Sequence, residues 1–283
     1  ADGDVGELED CCHGVTLTTG VPSPAVTSPL PAAARLAWWG TSWLRGHVAA
    51  DLVVDAVIDD QATHAVAGLG ALGLGGEGTE TLLGGLARLR VEGADTIGAA
   101  FGVEGDPVGL GGPPSFNAAA LEAGEAAVVT GAGMRTLPGA PCCVGLVPQV
   151  VGAATTWVAE PAARRQLPDV GEADRGLRAA LPQTADLLAA LEVARWRPEV
   201  ADRLMDLRHR DGLDAPPGVP ARCVELAARG LQALEIAELA LEDDGGAISA
   251  AEAEARAQAL RPLARAGRRA LVAACSPEVW PPA

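Results

Sequence analysis

The spacing of apolar positions divides the chain into a start without a pattern, a region of alternating strands and helices, and a helical remainder. Residues 1–29 mix acids, Gly, Thr, Ser and Pro without a period, so we expect a flexible tail there. From Ala32 onward apolar residues recur at three- to five-residue steps, and a second run extends from Leu52 to Ile58. These runs predict one bent helix or two.

Strands and helices then alternate in the prediction. The predicted strands are His64–Leu69, Thr96–Val103, Ala126–Thr130, Val144–Val151 and Thr155–Val158, and the predicted helices between them are Thr79–Val91 and Ser115–Ala123. This alternation favours parallel strands, whereas the last two strands have no helix between them and should pair antiparallel. Residues 30–160 are therefore predicted to form an α/β domain with a mixed, partly parallel sheet covered by helices.

Every periodic segment beyond Glu160 is helical. The stretch EPAARRQLPDVG marks a domain boundary, and the predicted helices are Glu172–Ala194 with an interruption at Pro182, Pro198–Arg210, Pro220–Leu241 and Ser249–Ala274. The third of these is apolar nearly all round, which predicts that it is the buried centre of a bundle. Residues 161–283 are thus predicted to form an all-helical C-terminal bundle.

The basic residues exclude several classes of enzyme. All 21 are arginine, and the chain contains neither lysine nor tyrosine. Without lysine there is no Walker A lysine, no Schiff base and no kinase-type lysine, and the Tyr–Lys pair of short-chain dehydrogenases is absent as well. Together with abundant Ala and Gly, the lack of lysine indicates a GC-rich bacterial source.

The net charge and the cysteine content limit the possible binding partners and the cellular compartment of the protein. The net charge is −16, and 16 of the 21 arginines follow residue 159, so the front half is strongly acidic. Such a chain should repel nucleic acid and anionic membranes. Six cysteines are sparse for a disulfide framework of this length, no apolar run is long enough to cross a bilayer, and the acidic start ADGDVGELED is unlike a signal peptide. We therefore expect a cytoplasmic protein.

A G-x-G-x-x-G pattern at Gly68, Gly70 and Gly73 raises the question of dinucleotide binding. More glycines follow where the helix of such a motif should begin, and Thr79 is a better helix start. The acidic residue expected to contact the ribose is also missing from the end of the next strand. We interpret the stretch as a flexible loop, and we predict no cofactor.

Two segments bear a likeness to metal sites. Leu241–Glu252 resembles an EF-hand calcium loop over its twelve residues, but Leu241 stands where the first carboxylate should be and Gly245 where the fifth ligand should be. Glycines that end one helix and a Ser249–Glu252 capping box that starts the next explain the same residues. Cys11, Cys12 and His13 with Cys142 and Cys143 lack the usual zinc spacing. We predict no metal.

The strongest candidate residues fall into two groups. The loop Glu104–Asn117 joins a strand end to a helix start, where open α/β sheets place ligands, and it offers Asp106, Ser115 and Asn117 as ligand contacts; a Gly/Pro turn with Ser115 as a helix cap is the structural alternative. The last helix carries Arg261, Arg265 and Arg268 on one face, with Arg269 beside them.

The arginine face allows three interpretations. It is suited to an anionic ligand or an acidic partner, it equally suits a solvated face paired with local acids, and it is able to dock against the acidic front domain. We therefore predict a non-catalytic assembly or protein-interaction protein. The alternative is a ligand-binding or enzymatic α/β domain that uses the Glu104–Asn117 loop.

Overall fold

The computed structural model describes residues 29–131, 143–190, 212–242 and 249–281. The predicted tail, apart from Pro29, and the predicted helix Pro198–Arg210 lie outside the described residues. So do the glycines of the calcium-loop likeness and every member of the cysteine and histidine group except Cys143.

The first helical region consists of two separate segments. Helix α1 (Ala32–Arg35), a π-helical turn (Leu36–Gly40) and helix α2 (Thr41–Leu44) follow one another without a break, and α3 (Ala50–Ile58) comes after a turn. Trp38 is fully buried on the first segment, and its indole Nε1 donates a hydrogen bond to the carbonyl of Ala274, 3.1 Å away. The segment thus contacts the end of the last helix as well as the sheet.

Six strands form one mixed sheet in the order β2-β1-β6-β5-β4-β3. They are β1 (Thr63–Ala67), β2 (Thr79–Thr81), β3 (Thr96–Ala100), β4 (Ala126–Thr130), β5 (Cys143–Val151) and β6 (Ala154–Ala162). Strands β1 and β6 are parallel and the other neighbours are antiparallel. The predicted mixed sheet is confirmed, and β6 continues two residues past the boundary predicted at residue 160.

The helix predicted from Thr79 begins three residues later. Thr79, Glu80 and Thr81 form β2, which pairs antiparallel with β1, and helix α4 (Leu82–Val91) starts only after it. The hydroxyl of Thr81 accepts the backbone N–H of Gly84 and so caps this helix. Pairing with β1 therefore extends the backbone at residues that, by sequence, suit the first turn of a helix.

Helices cover both faces of the sheet. Helix α5 (Pro114–Ala123) places the ring of Phe116 over Gly145 of β5, at a distance that leaves no room for a side chain at that glycine. Around Phe116 lies a small second core. The opposite face, against α1 to α4, belongs to the main core, which continues into the C-terminal helices. The domain is therefore a sheet between two helical layers.

The described part of the C-terminal region is helical, as predicted, but its centre differs. It contains α6 (Val170–Ala190), α7 (Ala221–Glu242), α8 (Ala250–Ala274) and a short 3-10 turn (Pro277–Val279). Helix α6 runs through Pro182 without the predicted interruption. The prediction that the third helix is the centre is wrong for the described helices: α8 packs against both α6 and α7, which hardly touch one another.

Local features of α7 and α8 explain this packing. Gly230 of α7 and Gly267 of α8 face each other so closely that a Cβ on either would lie about 3 Å from the other's carbonyl oxygen (3.0 and 2.9 Å). Two backbones approach this closely only where both side chains are absent.

The predicted capping box at the start of α8 is confirmed, since Ser249 and Glu252 each accept the other's backbone N–H.

The free edge of β3 is covered by three different elements. The Thr41 hydroxyl donates to the carbonyl of Ile97 and accepts its N–H, and the carbonyl of Cys275 accepts the N–H of Ala99. The guanidinium of Arg165 donates to the carbonyl of Ala99. An uncovered edge strand is a template for aggregation, so these contacts protect the sheet as well as join its edge to the C-terminal segment.

A histidine is buried in a polar chain across β1 and β6. His64 is 2% exposed, its Nδ1 accepts the indole N–H of Trp157 at 3.2 Å, and its Nε2 lies 2.7 Å from the side-chain oxygen of Gln61. The ring must therefore carry its proton on Nε2 and be neutral. Burial, with the positive charge of Arg35 as a second cause, lowers the pKa of His64 from 6.5 to about 4.

Acid should therefore destabilise the protein through His64. The unfolded chain binds this proton more tightly than the folded protein, so the stability contributed by the neutral ring is complete above pH 6.5 and is lost as the pH falls toward 4. We expect a loss of about 2 kcal/mol near pH 5 from this group alone. Urea unfolding measured across that pH range tests this.

The control for this experiment is a pair of glutamine variants. His64→Gln keeps a donor and an acceptor but does not titrate, so most of the acid-dependent loss should disappear. His47→Gln changes an exposed histidine and should retain the loss. Equal losses in wild type and His64→Gln would show that other groups cause it.

Candidate functional site

A groove of about 1100 Å³ lies between the α/β region and the helical region. Its walls are the turn that follows β3, α6 from Glu172 to Gln183, the end of α7 at Leu241, and one face of α8. The lining includes apolar side chains, among them Val103, Ala173 and Leu241, together with arginines and carboxylates. The groove is far larger than the cavity between Trp38 and His47, whose volume is about 10 Å³.

The cationic wall is the arginine face predicted from the sequence. Arg261, Arg265, Arg268 and Arg269 all line the groove. The opposite face of α8 carries buried small and apolar residues such as Leu263 and Gly267. Packing of that face against α7 therefore directs the arginines into the groove.

Asp106 enters the groove from the turn after β3. Val103 and Asp106 exchange backbone hydrogen bonds across Glu104 and Gly105, and Gly105 has a φ of +77° that favours glycine. The Asp106 carboxylate lies 3.3 Å from Nε of Arg265 and 3.2 Å from a terminal nitrogen of Arg268. The structure thus brings one residue of the predicted loop together with two of the predicted arginines.

Ser115 and Asn117 lie outside the groove lining. The side-chain oxygen of Asn117 accepts the backbone N–H of Gly112, 2.9 Å away, and so holds the loop against the start of α5. Ser115 is exposed in the first turn of α5, whose N-cap is Pro113 and has no side-chain hydrogen bond. Ser115 is therefore not the predicted cap, because the helix already begins at Pro114.

Several lining residues were not found by sequence reasoning. Glu172 and Gln183 come from α6 and Gln258 from α8, and they border the groove alongside the arginines. No sequence signal marks them, because they are ordinary polar positions of amphipathic helices. Only the packing of α6 on α8 brings them to the site.

The glycine pattern does not lead into a helix. Gly68 has a φ of +85°, a single 3-10 turn spans Gly70–Leu72, and Gly73 is left-handed. A Cβ at Gly70 would lie 2.7 Å from the carbonyl oxygen of Gly76, so the loop folds back on itself. Helix α4 starts much later, at Leu82, and so its N-terminus does not follow the glycines as a dinucleotide site requires.

The described residues also bear on metal and membrane binding. Within residues 29–131, 143–190, 212–242 and 249–281, no three His, Cys, Asp or Glu side chains are grouped as a metal site would need. Cys223 and Cys275 are buried free thiols, and burial raises the pKa of Cys223 to about 11. None of the helices in this part of the chain is long and apolar enough to cross a membrane.

Comparison with known proteins identifies the family. The N-terminal domain of the Rv1486c-like protein family matches residues 33–173, and its C-terminal domain matches residues 171–272. This agrees with the predicted two-domain organisation.

Two relatives from Mycobacterium tuberculosis, Rv1486c of strain H37Rv and MT1533 of strain CDC 1551, are each 29% identical over 287 residues, which cover 87% of this chain and 97% of the relative. Both are described as uncharacterized proteins, and their mycobacterial source agrees with the predicted GC-rich origin. No solved structure matches the chain. Because the two domains together span most of its length, the chain belongs to the Rv1486c-like protein family.

Proposed function

We propose that this protein is a non-catalytic interaction protein whose groove binds an acidic segment of a partner protein. The observation that carries the proposal is the row of four arginines on the α8 wall of the groove, in a chain whose net charge is −16. Guanidinium groups bind carboxylates with two parallel hydrogen bonds, which gives such a surface both affinity and orientation.

The mixed lining favours a peptide over a small anion. Val103, Ala173 and Leu241 are apolar, and Leu241 is half exposed although it borders the groove. A free phosphate would gain nothing from these side chains, whereas a peptide that alternates carboxylates with apolar side chains would bury both. The negative charge of the whole chain likewise favours a protein partner over nucleic acid or a membrane.

The chemistry of the lining favours binding over catalysis. Among the described residues that line the groove, none is Ser, Thr, Cys, His, Lys or Tyr. This described lining thus offers no hydroxyl, thiol, imidazole or amine nucleophile, and the carboxylate of Asp106 is already paired with two arginines. We place the protein in the cytoplasm, because Cys223 and Cys275 are free thiols, as a reducing compartment keeps them.

A binding experiment tests the proposal. We would measure fluorescence anisotropy of a labelled dodecapeptide of alternating glutamate and leucine, with a glutamine-for-glutamate peptide as its neutral twin. Arg261 and Arg269 are exposed, so Arg261→Glu/Arg269→Glu should fold normally and weaken binding of the acidic peptide at least about tenfold.

The matched control reverses two exposed arginines outside the groove. Arg175→Glu/Arg222→Glu makes the same change in net charge on α6 and α7 and should change the Kd by less than about twofold. Equal weakening by both double variants, or equal binding of the neutral peptide, would rule the proposal out.

A further inference from the structure

The Asp106 carboxylate is shared between two arginines in unequal surroundings. Its side chain is 8% exposed, with Oδ1 directed to Arg265 and Oδ2 to Arg268. Arg268 is 17% exposed and donates a hydrogen bond to Oδ2, whereas Arg265 is 54% exposed. The second contact of Arg265, to the carbonyl of Gly105, is long at 3.4 Å. Arg265 is therefore the arginine that can be released to the groove at lower cost.

The turn holds Asp106 in place while Arg265 is able to move. The paired backbone hydrogen bonds between Val103 and Asp106 fix the aspartate at the groove wall. If Arg265 turned away, Arg268 would still neutralise the buried carboxylate. The cost of an unpaired buried charge would then be avoided.

We infer that Asp106 competes with the partner's carboxylate for Arg265. Asp106 pairs with Arg265 in the free protein, and binding transfers Arg265 to the partner while Asp106 stays paired with Arg268. This inference rests on the proposed function of the groove. Asp106 thereby lowers affinity and raises selectivity, because an uncharged ligand offers Arg265 no negative charge in exchange for that of Asp106.

Neutralising Asp106 should therefore tighten binding. Asp106→Asn keeps the shape of the side chain but frees Arg265, and the Kd for the acidic dodecapeptide should fall about fivefold. Glu104→Gln is the matched control, since Glu104 lies in the same turn and its substitution removes the same charge, while the described ion pairs of Arg265 and Arg268 are both with Asp106. It should tighten binding by less than about twofold.

A double-mutant cycle separates competition from a general charge effect. In the Arg265→Gln background, Asp106→Asn should change the Kd by less than about twofold, because the contested guanidinium is gone and only the general charge effect remains. Equal tightening by Glu104→Gln, or a full gain without Arg265, would overturn the inference while leaving the proposed function standing. Loss of acidic-peptide binding in every protein, wild type included, would overturn both.

A second measurement uses only the wild-type protein and so does not depend on the folding of Asp106→Asn. In ¹⁵N NMR spectra, addition of the acidic peptide should shift the Nε–H signal of Arg265 and leave that of Arg268 in place. A shift of Arg268 alone, or of neither signal at saturation, would contradict the transfer.

Discussion

Arg165→Gln should lower the free energy of unfolding by about 3 kcal/mol. The Arg165 side chain is 2% exposed, and it donates to the carbonyl of Ala99 at 2.9 Å and to the carboxylate of Glu278 at 2.6 Å. Glutamine is too short to make both contacts, so a backbone carbonyl at the edge of β3 and a carboxylate would lose their donor. This loss is at the lower end of the range for breaking a buried ion pair, because the Glu278 side chain is 26% exposed to solvent.

Urea unfolding followed by circular dichroism measures this loss, and the neighbouring residue provides the control. Arg164 is exposed, and Arg164→Gln should change the unfolding free energy by less than about 0.5 kcal/mol. Equal stability of the Arg165→Gln and Arg164→Gln proteins would mean that Arg165 does not join the C-terminal segment to the sheet.

Thr41→Val should cost about 2 to 3 kcal/mol, although valine has nearly the same shape as threonine. Thr41 is fully buried, and its hydroxyl serves both the carbonyl and the N–H of Ile97 on β3, at 3.0 and 2.9 Å. Valine would leave both backbone groups buried and unpaired. The loss of stability therefore arises from the two unpaired backbone groups of β3, although the substituted residue lies on helix α2.

Thr41→Ser is the matched control, because it keeps the hydroxyl and loses only a methyl group, which should cost about 1 kcal/mol. Thermal unfolding of both variants gives the comparison, and light scattering reports whether the Thr41→Val protein associates through β3. If serine costs more than valine, the hydroxyl is not what stabilises this edge.

Local patterns predicted much of the fold. Five strands and three of the four predicted C-terminal helices were found near their observed positions, because alternation and helical periodicity follow from which faces meet the core. The capping box of Ser249 and Glu252 was correct because it depends on side chains three residues apart. Errors occurred where a distant element intervened, as when pairing with β1 turned Thr79–Thr81 from a helix start into a strand.

The candidate site was predicted only in pieces. Helical spacing predicts that Arg261, Arg265 and Arg268 share one face. The position of Asp106 after a predicted strand makes it a candidate ligand contact. Nothing local joins the two, since their contact connects positions about 160 residues apart (|i−j| = 162 for Arg268 and Asp106). Ser115 and Asn117 share the loop with Asp106 but lie elsewhere, because the chain turns between them.

The amino-acid sequence by itself determined which functional groups this protein has. The chain is acidic overall, lacks lysine and tyrosine, and has most of its arginines in its helical second half. It also determined most helices and strands, because these depend on neighbours within a few residues. Tertiary structure alone decided how β3 is covered, which helix lies at the centre of the described bundle, and that Asp106 meets Arg265 and Arg268 in a groove. Those features depend on which distant surfaces pack together and exclude water, and the periodicity of neighbouring residues does not determine this.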